Sequence, residues 1–178
     1  MTTAAQQYDP RAALVGDLLD REAIREVLTR YCRAADRCDE DLLRTCYHHD
    51  ALDRHGRFCG AAGDFATWVI GVQRTSSITT QHAVSNVVIE LAGPVAWVES
   101  AFMATHIRPP GDGFAEPFVD TFWGRYVDRF SKRDGVWAIA SREVVHDWSE
   151  RRACGPPMPH TGSYRAGRRD RGDASYER

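Results

Sequence analysis

The chain has 178 residues, 43% of them hydrophobic, with 23 Lys and Arg against 25 Asp and Glu, a formal net charge of -2 and a pI near 6.4. That length suits one soluble domain with a core of its own and leaves no room for two. The near-neutral balance lacks the electrostatic footprint of a nucleic-acid or anionic-membrane binder, so neither partner is expected and small or uncharged partners are.

Residues 1–16 are polar, include Pro10 and Gly16, and read as a flexible N-terminal arm. The arm lacks the apolar core of a signal peptide, and no later run approaches the ~20 apolar residues of a membrane span, which points to a cytoplasmic protein. From Asp17 or Asp20, either of which would cap a helix, Leu18, Leu19, Ile24, Val27, Leu28 and Tyr31 are spaced to share one helical face. Asp39, Glu40 and Asp41 place carboxylates at the start of a second, short helix ending near Tyr47, where the helix dipole favours them. Asp36 then falls at the corner between the two. Residues 51–54 suit a short strand before Gly56, and residues 63–72 a third helix carrying Phe65, Trp68, Val69 and Val72.

Beyond that point the period changes. Residues 78–91, 95–107, 118–130 and 136–148 are rich in β-branched and aromatic side chains, and are separated by Ala92-Gly93-Pro94, Pro109-Pro110-Gly111-Asp112-Gly113 and Arg133-Asp134-Gly135. Such a pattern predicts an antiparallel meander. Helices followed by long strands make an α+β fold, with a strongly curved antiparallel sheet wrapped around three N-terminal helices, occupying residues 17–150. Residues 151–178 turn to Arg, Gly and Pro and cannot bury a core; they read as a disordered tail, a lid, or an arm on a neighbouring subunit.

Several chemistries are disfavoured by what the sequence lacks. Cys32, Cys38, Cys46, Cys59 and Cys154 are odd in number and form no C-x-x-C pair, against a disulfide framework or zinc knuckle. The sole lysine, Lys132, lies in a polar turn, a poor place for a Schiff-base amine. The seven histidines include no H-E-x-x-H or H-x-H, and His48 and His49 are adjacent in a segment read as helix and must point apart. No phosphate-binding glycine loop is present, and no metal or other cofactor is expected.

The chemistry-bearing pattern is a pair of segments, Tyr31-Cys32-Arg33-Ala34-Ala35-Asp36 and Gln81-His82-Ala83-Val84-Ser85-Asn86. If the fold brings Asp36 to His82, a carboxylate orients an imidazole that can remove a substrate proton near neutral pH. Late in the chain Arg142, Val144 and His146 alternate and so share one face of a strand. Should that face line a cavity, a fixed charge and a second imidazole stand ready for an oxyanion or a leaving hydroxide; otherwise Arg142 is a partly solvated strand arginine. Tyr31 is either a phenolic donor or a core aromatic. The aromatics are mostly core, with some, Trp68 and Phe122 among them, expected to line an apolar substrate cavity.

Asp20-Arg21-Glu22-Ala23-Ile24-Arg25 leading into Tyr31-x4-Asp36, His82 before a strand, and Arg133-Asp134-Gly135-Val136-Trp137 together resemble the SnoaL-like branch of the nuclear transport factor 2-like superfamily, over about residues 18–150. Members similar in these motifs include scytalone dehydratase, bile-acid dehydratases and hexachlorocyclohexane dehydrochlorinase. The resemblance implies a cone-shaped α+β barrel whose open end takes a small apolar substrate, usually without metal or cofactor, and an Asp–His base. Asp36 and His82 carry over directly, Tyr31 matches a dehydratase tyrosine five residues before the aspartate, and Arg142, five residues after Trp137, matches the dehydrochlorinase's active-site arginine. His146 stands where a bile-acid dehydratase would have an arginine, and Asp53 where it has a tyrosine; both are taken as substrate contacts.

The same cone also serves isomerases, cyclases, epoxide hydrolases and non-catalytic assembly proteins. The resulting expectation is a cofactor-free lyase, a dehydratase, acting on a small apolar hydroxylated substrate that polycyclic skeletons would suit. The alternatives are an isomerase or cyclase of polyketide, steroid or terpenoid metabolism, and a silent binding or assembly subunit. A homo-oligomer, trimer or dimer, is expected.

Overall fold

The computed structural model describes residues 9–156, 158 and 161–177. Helix α1 (Pro10–Arg37) starts earlier than the capping candidates Asp17 and Asp20 suggest. Asp9 is extended and its carboxylate accepts from the Arg11 N–H at 2.9 Å, while Pro10 sits where a missing N–H breaks no helical bond. Much of the expected arm is therefore helix; residues 1–8 lie outside the described residues. Of the expected apolar face, Ile24, Val27, Leu28 and Tyr31 are buried, whereas Leu18 and Leu19 are exposed, as are Leu14 and Val15 in the turn before them, so the first turns of the helix bury nothing and carry no periodic signal.

Cys38 ends α1 in the left-handed region at φ 50°, a conformation that closes the last carbonyls through Cys38 N–H to Ala35 O and Asp39 N–H to Ala34 O. Asp39 then caps α2 (Glu40–Arg44), accepting from the Leu42 N–H at 3.1 Å. The second helix stops short of Tyr47, which instead opens β1 (Tyr47–His55), because this segment finds ladder partners on a later strand. His48 and His49 accordingly alternate on a strand rather than a helix. A turn at Gly56, φ 61°, leads to β2 (Phe58–Ala61), too short for its pattern to stand out, and to α3 (Ala62–Ser76).

The four long strands fall where expected and run slightly further: β3 (Thr79–Ala92), β4 (Val95–Arg108), β5 (Phe118–Arg133) and β6 (Val136–Ala153). With β1 and β2 they form one curled, unclosed six-stranded sheet in the order β2-β1-β6-β5-β4-β3. Its pairs are antiparallel except β1 with β6, which is parallel, so the sheet is mixed rather than wholly antiparallel. The helices pack on its concave face, where Leu28, Leu43, Phe65 and Ile70 meet Val98, Phe102, Tyr126 and Ile139. Each such fully buried side chain contributes on the order of 1.5–3 kcal/mol. The convex face leaves Trp97, Met103 and Val127 exposed, with Trp148 stacked on Trp123 at 4.3 Å.

Three register shifts matter for the site: one in β3 between Ser85 and Val88, with Asn86 at φ 50°, and two in the β5–β6 ladder, at Trp123/Gly124 and Arg129/Phe130. At Gly124 the chains approach so closely that a Cβ would lie 2.1 Å from the Val145 carbonyl oxygen and 2.8 Å from the Phe102 ring.

After β6 the chain returns across the helices, with 3-10 turns at Thr161–Ser163 and Ala174–Tyr176. Asp173 meets Arg37 at 3.3 Å, Tyr176 donates to Asp39 at 2.8 Å, and the Arg33 guanidinium lies over the Tyr176 ring at 4.8 Å while donating to Ser175 O. The described part of the tail is thus docked on the corner between α1, α2 and α3. Among the described residues no helix is long and apolar enough to cross a membrane.

Candidate active site

Asp36 lies on the last turn of α1, on the face buried by the sheet, and β3 crosses that turn with Thr80 and His82 facing inward. Asp36 Oδ1 is 2.7 Å from His82 Nδ1, Oδ2 accepts from the His82 backbone N–H at 3.0 Å, and Oδ1 also accepts from the Thr80 hydroxyl at 3.1 Å. A carboxylate can only accept here, so Nδ1 carries the ring proton and Nε2 is left as the basic nitrogen. Anchoring the imidazole and its own backbone to one carboxylate fixes the ring's direction. The His82 side chain is 8% exposed, so water reaches it sparingly.

His106 on β4 faces the same space, its ring edge-on to His82 at 5.6 Å and to Phe122 at 5.5 Å, with Nδ1 3.4 Å from the Ser77 hydroxyl. Burial, reinforced by His82 and Arg108, pushes its pKa down to about 3. His106 is therefore a neutral imidazole beside the dyad. Phe122 consequently joins the site through His106.

A second polar group sits deeper in the same concave face. Arg142 is wholly buried, forks onto Asp128 with Nε to Oδ1 at 2.8 Å and Nη2 to Oδ2 at 2.7 Å, and is sandwiched between the rings of Tyr31 at 4.2 Å and Tyr126 at 4.0 Å. Burial works against its charge, but the Asp128 carboxylate more than offsets this, so Arg142 stays ionised. It is neither the solvated strand arginine nor an isolated charge. Burial pushes the Tyr31 phenol upward, holding it protonated, with Arg142 as a smaller opposing influence. Asp53, fully buried on β1, accepts from the Tyr47 hydroxyl at 2.6 Å and has His55 Nδ1 at 3.5 Å, while Asp53 Oδ1 and Arg142 Nη1 have no hydrogen-bond partner.

The structure thus gathers Asp36, His82 and Phe122 in one group and Tyr31, Asp53 and Arg142 in another. Trp68 is 37% exposed on α3 and packs on Phe58 and Phe65, away from both. His146 is exposed, although its pairing with Gly124 continues the Arg142–Val144 alternation unbroken; the extra residue at the Trp123/Gly124 shift, Asp147, falls after it, so His146 lies on the last step before the ladder is interrupted. His106, Thr80, Tyr126 and Asp128 were not singled out from sequence. Among the described residues no three His, Cys, Asp or Glu side chains converge as metal ligands. A groove of about 1010 Å³ between α1, α2 and the tail carries both signs of charge, from Glu22 and Asp41 to Arg25 and Arg171, but no member of the dyad.

A curled sheet closing over three helices, with a polar pair where the first helix meets the sheet, is the architecture of the nuclear transport factor 2-like α+β cones. Within that class, residues 16–143 match the SnoaL-like domain model, and the chain belongs to the SnoaL-like family. Solved structures agree on the fold. A LinA-type3 hexachlorocyclohexane dehydrochlorinase from Novosphingobium barchaimii superposes with TM-score 0.70 at 16% identity, over 80% of this chain and 99% of that one. A scytalone-dehydratase-like protein from Novosphingobium aromaticivorans gives 0.67 at 20%, over 82% and 95%. The Kfla4162 protein of Kribbella flavida gives 0.66 at 19%, over 75% and 95%. No curated protein matches the sequence.

Proposed function

We propose that the protein is a cofactor-free lyase of the dehydratase kind, in which His82 removes a proton from carbon and a hydroxide leaves from the neighbouring carbon. One observation carries this reading: the 2.7 Å contact from Asp36 Oδ1 to His82 Nδ1, with Oδ2 held by the His82 N–H. It leaves His82 Nε2 as the base and gives the imidazolium formed on proton transfer a carboxylate to stabilise it. His106, held neutral, adds no competing positive charge when His82 becomes cationic. Tyr31, held protonated beside Arg142, is a donor suited to a carbonyl or leaving oxygen. Dehydratase and dehydrochlorinase names among the structural relatives agree with an elimination.

Val84, Phe102 and Phe122 share the inward face of the sheet with His82, an apolar and aromatic surrounding that suits an apolar hydroxylated substrate. The test is a screen of hydroxylated carbonyl compounds for loss of water by mass, followed by H82A on any compound converted. Turnover is expected to fall at least about a hundredfold with the fold intact, the scale of a positioned base. Near-normal turnover in H82A would remove the base assignment, and a product of unchanged mass with a shifted double bond would make the enzyme an isomerase.

A further inference from the structure

The docked tail is rich in arginines, and most are neutralised. Arg168 pairs with Asp170, Arg165 with Glu177 and Arg171 with Asp39 and Asp41. Arg169 differs. Its Nη1 donates to two main-chain carbonyls at the end of α3, Gln73 O at 3.0 Å and Ser77 O at 2.6 Å, while Nε and Nη2 are out of solvent with no hydrogen-bond partner. No ion pair joins Arg169 to a carboxylate among the described residues.

A guanidinium with buried, unpaired donors is costly unless something supplies the missing acceptors. The neighbouring groups do not. Asp36 has both oxygens engaged by His82 and Thr80. The Cys38 thiol lies within hydrogen-bonding reach of Arg169, but burial pushes it upward against the pull of Arg169 and Arg74, so it stays uncharged and is only a weak acceptor for a guanidinium. His106 is held neutral, in part by Arg169 itself. Gln73, whose carbonyl holds Arg169, is buried with its own Oε1 unpartnered.

The position links this charge to the dyad. Ser77, one of its two anchors, faces His106 through its hydroxyl at 3.4 Å, and His106 meets His82 edge-on at 5.6 Å. A guanidinium fork with two free parallel donors matches a carboxylate better than any neutral oxygen. We infer that Arg169 is the anion-recognising end of the substrate site, its Nε and Nη2 taking a carboxylate carried on the apolar substrate. This rests on the reading of His82 as the reacting end, and narrows the substrate class to apolar hydroxylated acids. The tail thereby contributes a specificity determinant as well as cover.

The test compares benzoate with benzamide, two probes of nearly equal shape that differ in charge, by NMR titration of the full-length protein. Benzoate is expected to bind at least about tenfold more tightly, the scale of a charge-assisted hydrogen-bonded pair. R169Q is expected to bring the ratio close to one and R169K to keep part of it, while R165Q, an exposed tail arginine, leaves it unchanged. A loss of packing would weaken both probes together, so the ratio isolates charge recognition. In the wild-type protein, independently of any substitution, benzoate ring protons are expected to give NOEs to the His106 imidazole and the Arg169 δ-methylene. A ratio near one in the wild type, an unchanged ratio in R169Q, or NOEs to neither residue would overturn the inference. None of these readouts uses turnover, so the H82A result can fail while this one stands, and the reverse.

Discussion

The carboxylate of Asp36 is held by three donors, two of them from one histidine, and this is what turns a strand residue into a directed base. Replacing it by asparagine keeps the volume but offers an amide that can donate as well as accept, so the imidazole no longer has a single favoured tautomer. D36N is therefore expected to lower turnover at least about a hundredfold without unfolding the chain, measured on whichever compound the screen yields. Its neighbour His106 has a consequence for stability. Burial first, and then His82, depress its folded pKa from 6.5 to about 3, so the unfolded chain binds more protons between those values. The stability it contributes is fully present above about pH 6.5 and drains away as pH falls toward 3. Urea midpoints at pH 7 and pH 4 should differ less in H106Q than in the wild type; an equal difference would mean His106 titrates normally.

At the level of strands, the register shifts decide which side chains meet. Counted back from the Gly93 turn without interruption, Ala92 pairs with Val95 and His82 would oppose Thr105, placing His106 on the opposite face. The shift between Ser85 and Val88 moves His82 opposite Ala104, and His106 joins it inside. The Arg129/Phe130 shift likewise brings Asp128 opposite Arg142 instead of Ser141. These are one-residue offsets with no composition signal, which is why His106 and Asp128 were invisible in the sequence while Asp36 and His82 were legible. The helices and long strands were legible because burial imposes a period on them. The parallel β1–β6 pairing was not, since it depends on a distant partner, and nor was the start of α1, whose first turns bury nothing.

Two substitutions test this layer. G124A would drive a Cβ into the Val145 carbonyl and Phe102, and is expected to lower stability by roughly 3 kcal/mol or more by chemical denaturation. D128A strands the Arg142 charge in the core and should cost about 3–5 kcal/mol, whereas D128L with R142M, which removes both charges, should cost distinctly less.

Taken whole, the molecule has a core held by apolar burial and a tail held by charge. The seam between them consists of Arg37–Asp173, Arg171–Asp39, Arg33 on Tyr176 and Arg169 on the end of α3. In the two ion pairs the carboxylates are buried but the arginines are partly or largely exposed, so each pair contributes only on the order of 1 kcal/mol. Truncation after Cys154 is therefore expected to lower the melting temperature by only a few degrees, while raising the substrate KM; unchanged kinetics would reduce the tail to a bystander. Because that seam is electrostatic, its strength depends on the medium as well as on the residues. The screening distance shrinks from ~10 Å at 0.1 M salt to ~3 Å at 1 M, which loosens the tail and leaves the sheet and helices untouched. Ionic strength is then expected to act as a rheostat for one segment, setting how firmly the tail sits on the corner of α1, α2 and α3 while the rest of the chain keeps its shape.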